Sequence, residues 1–220
     1  RAGDLSNAVR VYNKLLAAYT NKVEARRGRY LLAQLLFASG DAATAQGLLA
    51  SISVAAPGSD EARDALLLSG NIHLVLQRVG DAEATFKALH GAFAGTAQSD
   101  SAYLDLASHL LALGRYEDAV SRYAGAVKMV RDGHLQARAR LGHADALRLV
   151  GRTAEALAEY GELNAAGSPV LGEVRLGQAI ALGQSDHFGA AIGLFLQLAQ
   201  APSGLPPSAV AAAAVRELGA

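Results

Sequence analysis

Tyr103-Leu104-Asp105-Leu106-Ala107-Ser108-His109-Leu110-Leu111-Ala112-Leu113-Gly114-Arg115-Tyr116-Glu117-Asp118-Ala119 is the stretch whose reading decides the fold. An apolar helical run ends in a glycine, and a second amphipathic run starts directly behind it. Glycine reaches the left-handed backbone conformation that ends a helix without steric cost, so Gly114 reads as the turn between two helices. Five residues past it stands the small Ala119, and four further on the large Tyr123, which places both on one face of the second helix. A small residue lets paired helices approach closely, and a large one fills the gap to whatever packs next.

The same phrase recurs along the chain. It reads Ala2-Gly3-Asp4-Leu5-Ser6-Asn7-Ala8, Ser39-Gly40-Asp41-Ala42-Ala43-Thr44-Ala45, Val79-Gly80-Asp81-Ala82-Glu83-Ala84-Thr85 and Val150-Gly151-Arg152-Thr153-Ala154-Glu155-Ala156. A copy without the glycine follows at Gln184-Ser185-Asp186-His187-Phe188-Gly189-Ala190-Ala191, and another begins at Leu218-Gly219-Ala220. With Gly3, Gly40, Gly80, Gly114, Gly151, Asp186 and Gly219 as equivalent points, the intervals are 37, 40, 34, 37, 35 and 33 residues. The small and large positions are Ala8/Tyr12, Ala45/Leu49, Thr85/Leu89, Ala119/Tyr123, Ala156/Tyr160 and Ala191/Phe195. Periods of this size mark repeat architectures in which each unit buries its apolar face against its neighbours.

In spacing and in these small, large and turn residues the chain resembles the tetratricopeptide repeat (TPR) family, best at Tyr103, Leu106, Ala107, Leu110, Gly114, Tyr116, Ala119, Tyr123 and Ala126. Departures are the absence of tryptophan and His73 and Leu76 in the third unit. The resemblance implies an all-α fold, a right-handed superhelical solenoid of antiparallel helix pairs. The expected organisation is one array over 1–220: a half repeat at 1–22, repeats at about 24–55, 60–95, 100–132, 135–166 and 168–202, and a half repeat or cap at 206–220. Broken repeats at both ends suggest a fragment of a longer array, whose cut ends would favour end-to-end self-association. The long connections at Val54–Asp60 and Gly91–Asp100 end in helix-capping residues, and Ser168-Pro169 and Pro207-Ser208 read as helix starts.

Composition narrows the function. Twenty basic and twenty acidic residues cancel, so no long-range positive field draws in nucleic acid. No cysteine is present, which removes thiolate metal sites and a cysteine nucleophile and leaves the compartment open between bacterial periplasm and cytoplasm. No apolar run approaches the roughly 20 residues of a membrane helix, so membrane insertion is not expected. The six histidines (His73, His90, His109, His134, His143, His187) include no pair at the spacing of a zinc-hydrolase helix. Glu117 and Asp118 are adjacent and point about 100° apart on a helix, so they cannot face each other as an acid–base couple. No phosphate-cradling glycine loop with its lysine is present. Neither a cofactor nor catalysis is indicated.

In the resembled family the first helices of successive repeats line a concave, ligand-binding groove. Carried over residue by residue, that face holds Arg27, Tyr30, Gln34 and Phe37 in the second unit and Leu67, Leu74 and Gln77 in the third. Further along it holds Ser101, Leu104, Ser108 and Leu111, then Arg138, Leu141, Asp145 and Arg148, and finally Glu173, Leu176 and Ile180. The set resembles a groove for a peptide with hydrophobic and acidic side chains, the arginines supplying the charge; Arg26-Arg27-Arg29 is the sharpest basic cluster and could hold an acidic peptide or a terminal carboxylate, but with Glu24 alongside it reads first as a solvated helix face. The family's carboxylate clamp is missing, since Lys14, Lys22, Lys87 and Lys128 lie off the first helices. The expectation is a non-catalytic scaffold for a protein or peptide partner. Its alternative is an architectural spacer within a larger protein, such as a bacterial envelope or exopolysaccharide-export component.

Overall fold

The computed structural model describes residues 7, 9–12, 14, 23–200 and 207–218, and within the last helix the side chains of 212–217. The opening copy of the repeated phrase, with Gly3, and the closing Gly219 lie outside the described residues. Eleven described helices follow one another: α1 (Val23–Ala38), α2 (Ala42–Ala55), α3 (Asp60–Val75), α4 (Val79–Phe93), α5 (Ala97–Ala112), α6 (Tyr116–Met129), α7 (Gly133–Leu149), α8 (Thr153–Ala165), α9 (Leu171–Gln184), α10 (Phe188–Gln200) and α11 (Pro207–Leu218). No strand occurs among the described residues. The fold is an all-α helical repeat.

One turn joins the helices of each pair. At Gly40, Gln77, Gly114, Gly151 and Asp186 the backbone is left-handed, with φ of 94°, 57°, 73°, 84° and 62°. The residue after each donates its N–H to a carbonyl five residues back: Asp41 to Leu36 at 2.9 Å, Arg78 to His73 at 2.8 Å, and Arg115 to Leu110, Arg152 to Leu147 and His187 to Leu182 at 2.9 Å. The left-handed residue itself donates three back, for example Gly114 to Leu111 at 3.1 Å. This pair of bonds satisfies carbonyls that the end of a helix leaves orphaned.

The third turn corrects the sequence reading. The left-handed residue is Gln77, and Gly80 lies inside α4. The uneven intervals of 40 and 34 residues arose from choosing the wrong glycine: from Gly40 through Gln77 and Gly114 to Gly151 every step is 37 residues. The small and large pair of that repeat is therefore Ala82 and Phe86, which are 0% and 1% exposed, and not Thr85 and Leu89. Thr85 instead bonds back to the Asp81 carbonyl at 2.8 Å. In the moved register Gly70 takes the small position of Ala107 and His73 the position of Leu110, so Leu76 is no longer a departure and His73 stands as a histidine in place of leucine.

The chain divides into two compact units, residues 1–102 and 103–220, with the boundary inside α5. In the first unit α1 packs on α2, α2 on α3 and α3 on α4, while α1 also touches α3. Its core gathers Leu32, Ala33, Leu36, Ala45, Leu49, Ile52, Ala65 and Ile72, with Val9 and Tyr12 packed against it. In the second unit α6 to α10 pack in succession, α7 touches α9, and α11 covers α9 and α10. Leu104 of α5 joins Ala126, Val130 and Ala139 in one cluster, and Ala179, Ala191, Phe195, Leu198 and Ala213 form another.

Large rings meet glycines across these contacts. A Cβ on Gly142 would overlap the Tyr123 ring, and one on Gly177 would come within 2.7 Å of the Tyr160 ring. Gly70 makes the same allowance for Phe86. The second helix of one pair thus presses an aromatic ring onto the bare backbone of the next first helix, at Tyr123–Gly142 and Tyr160–Gly177. Interiors packed to crystal-like density leave no slack for an added methyl at such points.

The connections between pairs absorb their extra residues mostly as helix. α2 runs to Ala55 and Ser59 caps α3 by accepting from the Ala62 N–H at 3.1 Å. At the second long connection the cap is Thr96, whose hydroxyl accepts from the Ser99 N–H at 3.3 Å. Ser99 is instead buried, 2.9 Å from His90 Nδ1. Ser168-Pro169 lies ahead of α9, which starts at Leu171 after the Ser168 hydroxyl accepts from the Val170 N–H at 3.3 Å. Pro207 does open α11.

A left-handed non-glycine residue costs roughly 1–2 kcal/mol, part of which glycine returns as unfolded-chain entropy. Gln77→Gly is therefore expected to stabilise the chain by about 1 kcal/mol, and Gly114→Ala to destabilise it by at least about 1 kcal/mol. Urea unfolding of both variants checks the pair; a loss of stability in Gln77→Gly contradicts the turn assignment. Gly177→Val should cost about 1–3 kcal/mol by overpacking the Tyr160 contact, read in the same unfolding series.

Candidate binding cleft on the first helices

In the second unit the faces of three first helices converge. α5 supplies Leu104 and Ser108, α7 supplies Arg138, Leu141, Gly142 and Asp145, and the start of α9 supplies Val170 and Glu173; Tyr123 of α6 closes the wall. Together they line a cleft of about 270 Å³. Four residues singled out in the sequence, Ser108, Arg138, Leu141 and Asp145, are brought together here, and Leu104 and Glu173 from the wider face join them.

Two polar pairs of the same design shape this surface. The Ser108 hydroxyl lies 2.8 Å from the Tyr123 hydroxyl. One repeat later the Tyr160 hydroxyl donates to Asp145 Oδ1 at 2.6 Å. In each, a polar residue six before the turn meets a tyrosine nine after it. Burial, reinforced by the Asp145 charge, pushes the Tyr160 phenol well above its ordinary value, so it remains a donor. Burial likewise raises the Tyr123 phenol.

Asp145 is half-buried, and burial raises its carboxyl, opposed by the Tyr160 hydrogen bond and by Arg148. Arg148 Nη2 stands 3.8 Å from Asp145 Oδ1, with its side chain only 13% exposed. Its Nε is buried without a hydrogen-bond partner among the described residues. Arg148 is thus largely occupied in supporting Asp145 and does not line the cleft. Next to it, on the α7–α8 contact, Glu159 accepts from Arg140 at 3.4 Å and sits 2.6 Å from His143 Nδ1, while Arg140 also reaches Glu162 at 2.6 Å.

The first unit carries a second depression of about 390 Å³, lined by Arg27, Tyr30 and Leu31 of α1 and by Asp60, Glu61, Arg63 and Asp64 of α3. Arg63 is held by Asp60 at 2.6 Å and Asp64 at 3.0 Å, and Arg26 stands 3.8 Å from Glu61. Gln34 donates to the Tyr30 hydroxyl at 3.3 Å. Phe37 is half-buried against the core cluster, and Leu74 is buried at 5% exposure. Gln77 leaves the helix face altogether, because it occupies the left-handed turn. Moving the register accordingly brings Asp64 to the position that Arg27 and Arg138 hold in their own repeats. The sequence reading missed Asp64 for that reason alone.

Among the described residues no group of three or more histidine, aspartate and glutamate side chains is placed to hold a metal ion, and no helix is long and apolar enough to cross a membrane. The two hydroxyls that line the cleft, Ser108 and Tyr123, are bonded to each other at 2.8 Å.

The tetratricopeptide repeat family model matches residues 1–60, 30–97 and 104–169. No curated protein matches the sequence. Among solved structures, the apo form of RapI is similar with a TM-score of 0.74 at 11% identity, over 97% of this chain and 64% of that one. The C-terminal part of a TPR repeat-containing protein from Cytophaga hutchinsonii gives 0.66 at 15% identity, over 90% and 74%. YrrB, described as a TPR protein with an unusual peptide-binding site, gives 0.55 at 14% identity, over 86% and 90%. Identities this low speak for the fold.

Replacing Asp145 by Asn keeps an oxygen for the Tyr160 hydroxyl and removes the penalty of burying a charge. A raised folded-state carboxyl favours folding below the unfolded-state value, and that contribution is lost as pH rises through the folded-state value. Asp145→Asn is therefore expected to be at least as stable as the parent at neutral pH, with its relative advantage shrinking as pH falls through the carboxylate range. Thermal unfolding of both proteins between pH 3 and 7, the range of ordinary carboxylate titration and neutrality, checks the sign.

Proposed function

The chain belongs to the tetratricopeptide repeat family, and from that premise we propose that it is a non-catalytic scaffold holding a segment of a partner protein against its first helices, principally in the cleft of the second unit. The observation that carries this reading is convergence. Side chains from three successive first helices meet on one surface that mixes apolar contacts (Leu104, Leu141, Val170) with charges (Arg138, Asp145, Glu173). Such a mixture suits a segment anchored by a few side chains and oriented by polar groups. YrrB, of the same fold, is described as having a peptide-binding site.

The volume fits the reading. Pockets that enclose a small molecule or cofactor run from about 300 to 1,000 Å³, and about 270 Å³ falls just short of that range. It suits one or two inserted side chains. The tyrosine and serine hydroxyls of this surface are committed to one another and to Asp145, which supports a binding role over nucleophilic catalysis.

A photocrosslinking amino acid placed at Leu141 tests the assignment, with the same group at the exposed Lys128 of α6 as control. The expected outcome is a protein captured from the source lysate through position 141 and absent through 128. Equal capture at both positions favours the spacer reading over a cleft-bound partner.

A further inference from the structure

We propose that the cleft of the second unit recognises a lysine side chain of the bound segment, its ammonium group on Asp145 and Glu173 and its methylenes on Leu104, Leu141 and Val170. This rests on the reading that the cleft holds a partner segment, and it names the chemistry of that segment. Three charged side chains line the cleft, two acids and one base. The base, Arg138, interacts electrostatically with the neighbouring Asp105. Arg148, which the sequence placed on the same face, stands behind Asp145 and contributes no free charge to the lining. The expectation of acidic ligand side chains is therefore reversed here: an acidic group would meet two like charges, and a cation two opposite ones.

The hydrogen bonding sharpens the choice of cation. Asp145 Oδ1 already accepts from Tyr160, while Oδ2 has no hydrogen-bond partner among the described residues. Glu173 is exposed and takes no hydrogen bond or ion pair among the described residues. With Oδ1 engaged, Asp145 cannot offer both oxygens to the planar fork of a guanidinium, whereas an ammonium is a point charge satisfied by single oxygens from Asp145 and Glu173. The apolar walls then cover the four-carbon stem, as happens wherever lysine stems lie along apolar surface.

Selection from a fully randomised, terminally blocked heptapeptide display library on the purified chain tests this, with Asp145→Asn, Glu173→Gln and Glu173→Lys as parallel baits, each checked for folding by circular dichroism. The expected result is at least about fivefold enrichment of lysine at one position, flanked by apolar residues. Enrichment should fall to background on Asp145→Asn and Glu173→Gln and shift to acidic residues on Glu173→Lys. Peptides enriched without lysine preference, with arginine ahead of lysine, or with lysine preference unchanged on both neutral variants overturn the inference and leave the scaffold reading standing. A library that yields no binder to any bait overturns both.

Discussion

The backbone hydrogen bond from the residue after the left-handed turn within each helix pair to the carbonyl five residues back is the constraint on which the rest of the structure depends. It fixes where the first helix stops and the second starts, and hence which side chain sits five and nine residues later. At the five turns within helix pairs those positions hold an alanine and a large residue: Ala45 and Leu49, Ala82 and Phe86, Ala119 and Tyr123, Ala156 and Tyr160, Ala191 and Phe195, none more than 4% exposed. A shift of three residues in the turn would rotate the second helix by about 300° and take the large side chain off the contact. The packing of the repeat is thus set by one backbone motif, and glycine is only its commonest carrier.

The site follows from the same register. The residue six before the turn and the tyrosine nine after it meet twice, as Ser108 with Tyr123 and as Asp145 with Tyr160. Each tyrosine ring lies on a glycine of the next first helix. The tyrosine therefore serves packing through its ring and the cleft through its hydroxyl. A leucine or phenylalanine at the equivalent positions of the first unit, Leu49 and Phe86, supplies only the packing. Asp145 is held half-buried by that hydroxyl and by Arg148, an arrangement with a cost in desolvation that bonding to a ligand's cation would offset.

The helical-repeat fold and the family were legible in the sequence because glycine, alanine and tyrosine at fixed offsets report backbone conformation and close packing directly. Legibility failed where the turn was made by a residue that does not advertise it. Gln77 adopts φ of 57° because five-back and three-back hydrogen bonds hold it there, and nearby Gly80 attracted the alignment. That single slip displaced Thr85, Leu89 and Gln77 from their assigned roles and hid Asp64. In the second unit, where glycines mark the turns of α5–α6 and α7–α8, Ser108, Arg138, Leu141 and Asp145 fell on one surface. Their polarity was not legible. Whether an arginine is free or consumed depends on partners such as Asp145 for Arg148, which lies in space and not in the pattern.

Amide hydrogen exchange of the chain with and without a saturating bound peptide measures the central claim most directly, because it reports along every helix at once. The account predicts new protection in α5 around Ser108, in α7 from Arg138 to Asp145 and at the start of α9 around Glu173, with the outer face of α6 around Lys128 unchanged. Protection confined to the second helices, with those three segments exchanging as in the free chain, would contradict it.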